Sequence, residues 1–572
     1  MIKKDFSRWK LLVLLFSIFS FSLVLRFVKL AEMPSALNWD EVSHGYNAYS
    51  VLKTGQDEWG QFLPLANFRA FGDYPLPVNL YLTIPGISLF GLNELGIRAP
   101  HAFLGGLTVL VCFFLVRGIG LKIGVGLLAA FLVAISPWTL FSSRSVLQSN
   151  VSLFFIALGM TLFLSRKKKA VFLPLSVLSL GISVYSYHNT RIFVPLLIFG
   201  LILIYRGQWR EWWLGKRRYL VLAIFLSLVF FAPLASILLK HESRARAQWV
   251  SIIDQGAVNQ IIENRLQSKL PSVITRAVYN RPVYFLTHFI QNYFGYFSPK
   301  FLFFEGGTHY QFNIPGRGIL YPVGAPFFYL GLGFLIFWSL KRKKEAQAIL
   351  LWLALGIVPA ALTRGGGHVV RASAIIPLPQ ILIALGLFQT VRLLAGKRKN
   401  LAKILLAVFI FSIFISVGSY LKDYFGSYRR NYSWAWQYGY KQVAEYVQSH
   451  YSDYDKIFIT KKYGEPHEFL LFYTKWDPQK YREDLNLVRY FRSDWYWVDS
   501  FDKFIFVNDW EVKEKFNQEK GRVLLITSPE NYPQGWSIIK EIDFLDGKPA
   551  FEILENEQVI LSDDLNHDNK TN

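Results

Sequence analysis

Long apolar runs alternate with short basic clusters over the first three quarters of the chain. A helix of about 20 mainly apolar residues is long enough to cross a bilayer. Runs of this kind start near Leu11, Ile97, Gly124, Leu147, Ala170, Ile192, Tyr219, Ile319, Ala346, Ser373 and Ile404. The pattern therefore predicts an α-helical polytopic membrane protein with about 11 transmembrane helices.

The basic clusters orient these helices. If the N-terminus is cytoplasmic, every short basic connection lies on the cytoplasmic side, as the positive-inside rule requires. Counting one helix more or fewer would break this agreement at every later connection. The clusters are Lys3 to Lys10, Arg117 and Lys122, Arg166 to Lys169, Arg206 to Arg218, Lys341 to Lys344, and Arg392 to Lys403. We therefore expect a multi-pass plasma-membrane protein with a cytoplasmic N-terminus.

Composition agrees with this placement. The net charge of +22 would by itself suggest nucleic-acid binding, but the basic residues cap apolar runs and form no soluble basic face. They are typical of topology signals and of contacts with anionic head groups, so the expected partner is the lipid bilayer and not a nucleic acid. The single cysteine, Cys112, lies in an apolar run, so the outer segments must fold without an intramolecular disulfide.

Three long segments are left for the outer side, at about residues 31–96, 241–318 and 423–572. In the first, Pro77–Gly91 is apolar but short, so we expect an interfacial helix along the outer membrane surface. In the last, a helical pattern at Tyr440–Tyr451 precedes short β-rich runs, which predicts a small α/β domain. The runs are Lys456–Thr460, Phe469–Tyr473, Lys503–Val507, Arg522–Thr527 and Ser537–Ile542.

Two adjacent carboxylates, Asp40 and Glu41, follow the first apolar run closely. A carboxylate at the outer membrane boundary could act as a general base on a hydroxyl group. The alternative is a solvated pair that stabilises the start of a helix at His44–Lys53. Asp73 and Tyr74 lie in a Pro/Gly-rich stretch just before the expected interfacial helix, where a turn aspartate would be the structural alternative.

Several basic residues fall at the outer ends of the predicted spans, where the positive-inside rule disfavours arginine. They are Arg144, His188, Arg191, Arg364, His368 and Arg371. A phosphate held by several arginines at the membrane boundary would explain them. The alternative is that their side chains extend to outer-leaflet head groups. The sequence contains no GxxxxGK, HExxH or CxxC motif, so neither a P-loop nor a multi-thiolate metal site is expected.

The order of several short motifs resembles the bacterial relatives of protein O-mannosyltransferases and lipid A aminoarabinose transferases, in glycosyltransferase family 39. These motifs are Asp40-Glu41; Gly72-Asp73-Tyr74-Pro75-Leu76-Pro77; Leu92-Asn93-Glu94 with Arg98-Ala99-Pro100; Ser136-Pro137 with Ser143-Arg144; Tyr185-Ser186-Tyr187-His188 with Arg191; Ser298-Pro299; and His368 with Arg371 and Pro377. The resemblance covers roughly residues 11–394 and implies the GT-C membrane glycosyltransferase fold. Residues 1–425 would form that domain, with outer loops at about 31–96 and 241–318, and residues 426–572 an extracytoplasmic α/β domain.

The resemblance also implies a reaction. Such enzymes transfer a sugar from a polyprenyl-phosphate monosaccharide to an extracytoplasmic acceptor hydroxyl on a protein, a lipid or an envelope glycan. Asp40 matches the family's general base, which acts with inversion at the anomeric carbon, and Glu41 lies beside it. Asp73, Tyr74, Arg144, His188, Arg191, His368 and Arg371 would bind the donor and its phosphate.

Two departures from the family pattern bear on the chemistry. The lysine that usually precedes the proline pair is missing from Tyr74-Pro75-Leu76-Pro77. Gln148, Ser149 and Asn150 occupy the region where many members carry an acid, which argues against a divalent-metal site there, and the sequence leaves open whether a metal is used as a cofactor. A transporter or lipid flippase is the alternative function, although no paired halves with matching interrupted helices are visible. A non-catalytic scaffold that displays the tail is a third alternative.

Overall fold

A computed structural model describes residues 7–239, 250–515 and 521–556. Lys3, Lys4 and the start of the second outer loop at His241 lie outside the described residues. The chain forms two compact units. The first is drawn from residues 1–28 and 101–420, and the second from residues 29–100 and 421–572. The first outer loop thus belongs to the same compact unit as the C-terminal tail, and not to the unit that contains most of the apolar helices.

Helices account for most of the chain. The first eleven are α1 (Arg8–Phe27), α2 (Trp39–Thr54), α3 (Pro77–Phe90), α4 (Glu94–Gly118), α5 (Ile123–Ile135), α6 (Pro137–Ser143), α7 (Gln148–Ser165), α8 (Phe172–Val184), α9 (Thr190–Ile204), α10 (Arg206–Gly215) and α11 (Arg217–Leu239). The next eight are α12 (Gln255–Gln267), α13 (Ser272–Val278), α14 (Arg281–Gly295), α15 (Ala325–Leu340), α16 (Lys344–Gly356), α17 (Val358–Ala361), α18 (Leu378–Lys397) and α19 (Lys399–Asp423). The tail adds α20 (Arg429–Asn431), α21 (Tyr440–Ser449), α22 (Pro466–Tyr473), α23 (Pro478–Glu483) and α24 (Val512–Lys515).

The first unit carries the helices that can cross a membrane. Within the described residues, 8 helices are long and apolar enough, or up to 10 if two bent pairs each count as one span. The bent pairs are α5 with α6, at 54°, and α9 with α10, at 83°. The span expected near Ala170 is α8, a helix of 13 residues that is short for a membrane crossing. The polytopic helical fold is confirmed, with a helix count slightly below the predicted 11.

Small residues allow two of these helices to pack closely. A Cβ atom at Gly331 of α15 would lie 2.0 Å from the carbonyl oxygen of Leu382, and one at Gly386 of α18 would lie 1.9 Å from that of Phe327. No larger residue fits either position without moving the backbone. Close approach through small residues is the usual way in which membrane helices gain packing energy, since lipid supplies no hydrophobic driving force between them.

The second unit contains a mixed seven-stranded sheet. Its strands are β1 (Lys456–Thr460), β2 (Val488–Arg492), β3 (Trp495–Phe501), β4 (Phe504–Val507), β5 (Val523–Thr527), β6 (Trp536–Asp543) and β7 (Pro549–Asn556). The sheet order is β2-β3-β4-β1-β5-β7-β6, and β1 pairs in parallel with β4 and β5. β1 and β5 are apolar and almost fully buried at the centre, as parallel strands usually are. The predicted C-terminal α/β domain is confirmed as a β-rich region.

Four of the five predicted runs correspond to strands, and the fifth is helical. The prediction of a β-rich run at Phe469–Tyr473 was wrong, because these residues form the greater part of α22. Pro466 stands at the first helical position and Glu468 in the first turn, both of which favour a helix start. The expected helix before the first strand is present as α21, and the apolar segment of the first loop is the helix α3.

Candidate active site

Asp40 lies in the first turn of α2, in the second unit. Asn38 caps this helix, since its side chain accepts a hydrogen bond from the backbone N–H of Glu41 at 2.9 Å, and the Glu41 carboxylate reaches back to the N–H of Asn38. This capping box fixes where the helix begins. Asp40 is exposed whereas Glu41 is buried.

Glu41 is held in a buried ion pair. Its two carboxylate oxygens accept hydrogen bonds from Arg98, at 2.9 Å from Nε and 2.7 Å from Nη2. Arg98 also donates to the backbone carbonyls of Leu30, Pro34 and Ala36. One guanidinium group therefore ties the start of α2 to the chain segment that precedes it. Asp40 is therefore the more exposed member of the pair.

Aromatic residues from both ends of the sequence surround the start of α2. The Trp39 ring lies 5.6 Å from Phe71 and 6.3 Å from Trp495, and the rings of Phe71 and Trp495 stack at 5.3 Å between centroids. The backbone N–H of Trp39 donates to Oε1 of Gln437 at 2.8 Å. A Cβ atom at Gly72 would lie 2.1 Å from the Trp495 ring, so this contact requires glycine. Stacked aromatic faces beside a carboxylate are suited to a ligand with both apolar and hydroxyl-bearing faces.

Glu58, Glu465 and Glu468 are among the further buried carboxyl groups of the same unit. Burial, with the charge of Asp57 next, raises the pKa of Glu58 to about 8, and burial raises the pKa of Glu465 to about 7. Burial also raises the pKa of Glu468, with smaller effects from the charges of Glu58, Glu465 and Asp40. Because burial disfavours the charged form, and neighbouring carboxylates add to this for Glu58 and Glu468, these groups hold their protons to higher pH than in water. In the part of the chain that the structure describes, no group of three His, Cys, Asp or Glu side chains is arranged to hold a metal ion.

His44 lies one helical turn after Asp40. Its Nδ1 is 2.7 Å from the carbonyl oxygen of Asp40, and its ring packs edge-on against Phe68 at 5.2 Å. Burial lowers the pKa of His44 to about 4, with a weak opposing effect from the charge of Asp73. His44 is therefore neutral at physiological pH and adds no positive charge beside Asp40.

Asp73 and Tyr74 form a turn in the same unit. The Oδ1 of Asp73 accepts the backbone N–H of Tyr74 at 2.8 Å, and the Asp73 carbonyl accepts the N–H of Ala70 at 3.1 Å. The hydroxyl of Tyr74 lies 3.2 Å from that of Tyr496, a residue of β3. Both side chains are half-buried. The turn predicted for Asp73 is present, and it carries Tyr74 to the surface of the tail.

The basic residues of the first unit gather around the loop at residues 363–371. Arg371 donates from Nη1 to Oγ1 of Thr363 at 2.9 Å, and its carbonyl accepts from Asn189 at 2.9 Å. The backbone N–H of His368 donates to the Tyr296 hydroxyl at 3.2 Å. The Asn189 contact joins the segment that carries His188 and Arg191 to the segment that carries His368 and Arg371.

The rings of Phe312 and of a second histidine, His309, lie next to His368. The His368 ring lies 5.1 Å from Phe312 and 6.1 Å from His309. Burial and the positive charge of Arg371 lower the pKa of His309. His188 and Arg371 are half-buried, and Arg191 is 7% exposed at the start of α9. Arg371 therefore lies close enough to His309 to act on its charge, and His309 in turn neighbours His368.

Arg144 occupies a different place in that unit. It is fully buried, and its guanidinium donates at 2.8 Å to each of the carbonyl oxygens of Leu25, Arg26 and Val28. The last carbonyls of a helix have no partner within the helix, so Arg144 satisfies the C-terminal end of α1. Arg364 is exposed and pairs with Asp254 at 2.8 Å. The structure thus separates the predicted arginine set into a cluster around Arg371 and a helix cap.

Sequence reasoning missed several members of both groups. His44, Glu58, Glu465, Glu468 and Tyr296 occur in no motif, and the acids of the tail are more than 400 residues from α2 along the chain. The pattern Asn38-Trp39-Asp40-Glu41 did contain a signal for the helix start, because Asn followed three residues later by Glu is a capping box.

Solved structures share the fold. ArnT from Cupriavidus metallidurans in the apo state matches with a TM-score of 0.53 at 11% identity, over 95% of this chain and 97% of that chain. The same protein bound to undecaprenyl phosphate gives 0.50 at 13% identity, over 96% and 98%. The archaeal oligosaccharyltransferase AglB from Archaeoglobus fulgidus, in complex with an inhibitory peptide and a dolichol-phosphate, gives 0.51 at 14% identity. The match includes 82% of this chain but only 64% of the length of AglB.

These structures place the chain in the GT-C class of membrane glycosyltransferase folds, as predicted. A family model described as dolichyl-phosphate-mannose-protein mannosyltransferase matches residues 16–242, from α1 to the end of α11. The resemblance predicted from the short motifs is therefore confirmed for residues 16–242, and the roles of single residues stay predictions. A search of curated protein sequences found no match.

Proposed function

We propose that this protein is a membrane glycosyltransferase that moves a sugar from a polyprenyl-phosphate monosaccharide to a hydroxyl group of an extracytoplasmic acceptor. The family model and the GT-C fold support the reaction class. ArnT, which shares the fold over most of its length, has been solved with undecaprenyl phosphate, and this supports a lipid-linked donor. The N-terminus would be cytoplasmic and the second unit outside the cell membrane.

One observation carries the catalytic part of this proposal. In the first turn of α2, Asp40 is exposed, while the neighbouring Glu41 is buried and paired with Arg98. We assign the general-base role to Asp40, which would accept the proton of the acceptor hydroxyl as that oxygen attacks the anomeric carbon. The bond from this carbon to the phosphate oxygen breaks on the opposite face, which inverts the configuration. Glu41 has a structural role.

The leaving group is a polyprenyl phosphate, whose negative charge grows as the bond breaks. We assign its stabilisation to Arg371 and Arg191, with His188 and His368 beside them. Fixed positive groups that face a developing charge are among the strongest contributions to catalysis. Asp73 and Tyr74 would contact the donor in our proposal. We assign Arg144 a structural role at the end of α1, where its guanidinium donates to three backbone carbonyls.

The deciding experiment is transfer by the Asp40→Asn variant in a purified, reconstituted system with a labelled polyprenyl-phosphate sugar. Loss of a general base typically costs a factor of about 100–10,000 in rate. We expect release of free polyprenyl phosphate to fall by that range while thermal unfolding is unchanged, because Asp40 is exposed. Glu32→Gln is the matched control, since Glu32 is an exposed acid of the same loop. Full activity of Asp40→Asn would remove Asp40 from the mechanism.

A further inference from the structure

An apolar cavity of about 370 Å³ lies among five helices of the first unit. Its lining comes from α7, α8, α9, α10 and α11 and is apolar except for Ser176, Ser227 and the indole nitrogen of Trp209. The indole N–H donates to the carbonyl of Ile202 at 2.9 Å, so it offers no polar group to a ligand. The hydroxyl of Ser176 donates to Gly159 and that of Ser227 to Ala223. The cavity therefore suits a hydrocarbon chain.

The cavity lies at the basic end of these helices. On α9 it is lined by Ile198, Leu201 and Ile202, which follow Arg191 by 7 to 11 residues. At 1.5 Å per residue, this places it about 10–17 Å along the helix axis from Arg191. Phe163 lines it from the last turn of α7, and Leu220 from the first turn of α11. The cavity is therefore separate from the phosphate cluster around Arg371.

A short helix forms one side of the cavity entrance. α10 is bent by 83° from α9 and carries Trp209, Trp212 and Trp213. Tryptophan is enriched where membrane proteins cross the head-group region, and a sharp bend at that depth is typical of a helix lying in the interface. Cations accompany these rings, with Nζ of Lys216 at 4.9 Å from the Trp212 ring and Arg217 at 4.8 Å from the Trp213 ring.

Positive charge surrounds the entrance. The exposed cations next to lining residues are Lys167, Lys168 and Lys169 before α8, Arg206 and Arg210 on α10, and Arg217 and Arg218 at the start of α11. The stretches 165–173 and 206–220 contain a single acid, Glu211. Each basic residue near a membrane surface attracts anionic lipid. The entrance thus combines an apolar slot with an anion-attracting rim.

Arg166 lies between the end of α7 and the start of α10, next to the residues of this rim. It is 2% exposed, and it donates from Nη1 to the Phe163 carbonyl at 2.7 Å and from Nη2 to Gln208 at 3.0 Å. Its guanidinium lies 4.0 Å from the Phe163 ring and 4.2 Å from the Tyr205 ring. This packing fixes α10 against the end of α7, so the shape of the slot does not depend on a ligand.

We propose that this cavity binds one acyl chain of an anionic phospholipid, whose phosphate lies among the basic residues of the rim. The prenyl chain of the donor is the competing occupant. A prenyl chain has no charge at its far end and gains nothing from the rim cations, whereas a phospholipid places its phosphate at the depth where α10 lies. The charge around the entrance therefore favours the phospholipid, and in the predicted topology that lipid belongs to the cytoplasmic leaflet.

Thermal unfolding of the purified full chain tests this proposal. The protein would be compared in nanodiscs of phosphatidylcholine with and without about one third phosphatidylglycerol. We expect phosphatidylglycerol to raise the midpoint of unfolding by several degrees. Ala223→Phe, which fills the slot, and the double variant Arg210→Gln/Lys216→Gln, which weakens the rim, should each lose at least half of that shift. Lys397→Gln/Arg398→Gln is the matched control, because its helices contribute nothing to the lining, and it should keep the shift.

An equal effect of both lipid mixtures on the wild-type chain, or an undiminished shift in Ala223→Phe, would overturn the proposal. Photolabelling covers the case in which Ala223→Phe does not fold. A phosphatidylglycerol carrying a diazirine at the end of one acyl chain should label Ile202, Ile224 or Ser227 of the wild-type chain. Labels confined to other helices, or full suppression of the labels by equimolar undecaprenyl phosphate, would assign the cavity to another occupant. None of these readouts requires transferase activity.

Discussion

The two units bury charges of opposite sign. Among the described residues, the buried charged groups of the first unit are Arg26, Arg144, Arg166 and Arg191. Those of the second unit are acidic except for Arg98. An arginine cannot lose its proton in a protein, so a buried one needs acceptors such as backbone carbonyls. A buried carboxyl group can instead be neutralised by protonation.

The sign of the buried charges is related to the chemistry that we propose for each unit. In the first unit, Arg26 and Arg144 use their donors on carbonyls of neighbouring chain segments, and the half-buried Arg371 lies in a loop. In the second unit, most buried acids have raised pKa values while Asp40 is exposed. Of the residues to which we assign chemistry, Asp40 and Arg371 are less buried than the charged residues that support the fold, whereas Arg191 is 7% exposed.

The largest expected effect comes from breaking the ion pair in the second unit. Arg98→Met leaves the Glu41 carboxylate buried without its partner, and such losses typically cost about 3–5 kcal/mol. We expect a large drop in the midpoint of thermal unfolding and loss of activity. The double variant Arg98→Met/Glu41→Gln should recover part of that stability because no buried charge remains. A single variant as stable as the wild type would show that the pair does not organise α2.

The second effect concerns the arginine cap in the first unit. Arg144→Met removes three hydrogen bonds to carbonyls at the end of α1 but also removes a buried charge, so we expect a net cost of about 1.5–3 kcal/mol. We expect thermal unfolding at a clearly lower temperature, with an unchanged Kd for polyprenyl phosphate in the folded fraction. A weaker Kd with normal stability would instead return Arg144 to the phosphate site.

The third effect tests the phosphate cluster. Arg371→Ala should weaken binding of polyprenyl phosphate roughly 10- to 100-fold, since one charge-assisted bond is worth about 1.5–3 kcal/mol. Arg364→Ala is the matched control, because it removes an exposed arginine of the same loop that pairs with Asp254. Isothermal titration with the reconstituted protein measures both constants. Equal losses in the two variants would reduce the cluster to a general electrostatic effect.

The smallest effect is a pH dependence from the buried acids. Burial raises the pKa of Glu58 from 4.5 to about 8, so the folded state binds more protons than the unfolded state between these values. Stability from this group is present below pH 4.5 and is lost as the pH rises to about 8. We expect Glu58→Gln to flatten the decline in unfolding midpoint over that interval, whereas Glu32→Gln should leave it unchanged. A decline in Glu58→Gln as steep as that of the wild type would contradict the assignment.

Much of the architecture could be predicted because membrane helices and strands have strong periodic signals. The apolar runs predicted most of the spans, and the role proposed for Asp40 rests on its position shortly after the first of them in the sequence. The assignment of Phe469–Tyr473 failed because a short apolar run fits a buried helix as well as a strand. The partner of Glu41 and the acids around α2 could not be predicted. Neither spacing nor charge in the sequence reveals which residues, distant along the chain, lie close together in the folded protein. Arg144 matched the expected residue type, and only its hydrogen bonds distinguish a helix cap from a phosphate ligand.

The hydrogen bond from the Trp39 N–H to Gln437 joins residues 398 positions apart in the chain. Its consequence concerns the order of synthesis. The ribosome produces Asp40 near the beginning, but Gln437 and Trp495, which complete its surroundings, emerge only after the apolar helices between them. A nascent chain that has already inserted its first helices therefore still lacks the tail residues that pack next to Asp40. Activity would begin only when the last part of the protein has been made and folded onto the first loop.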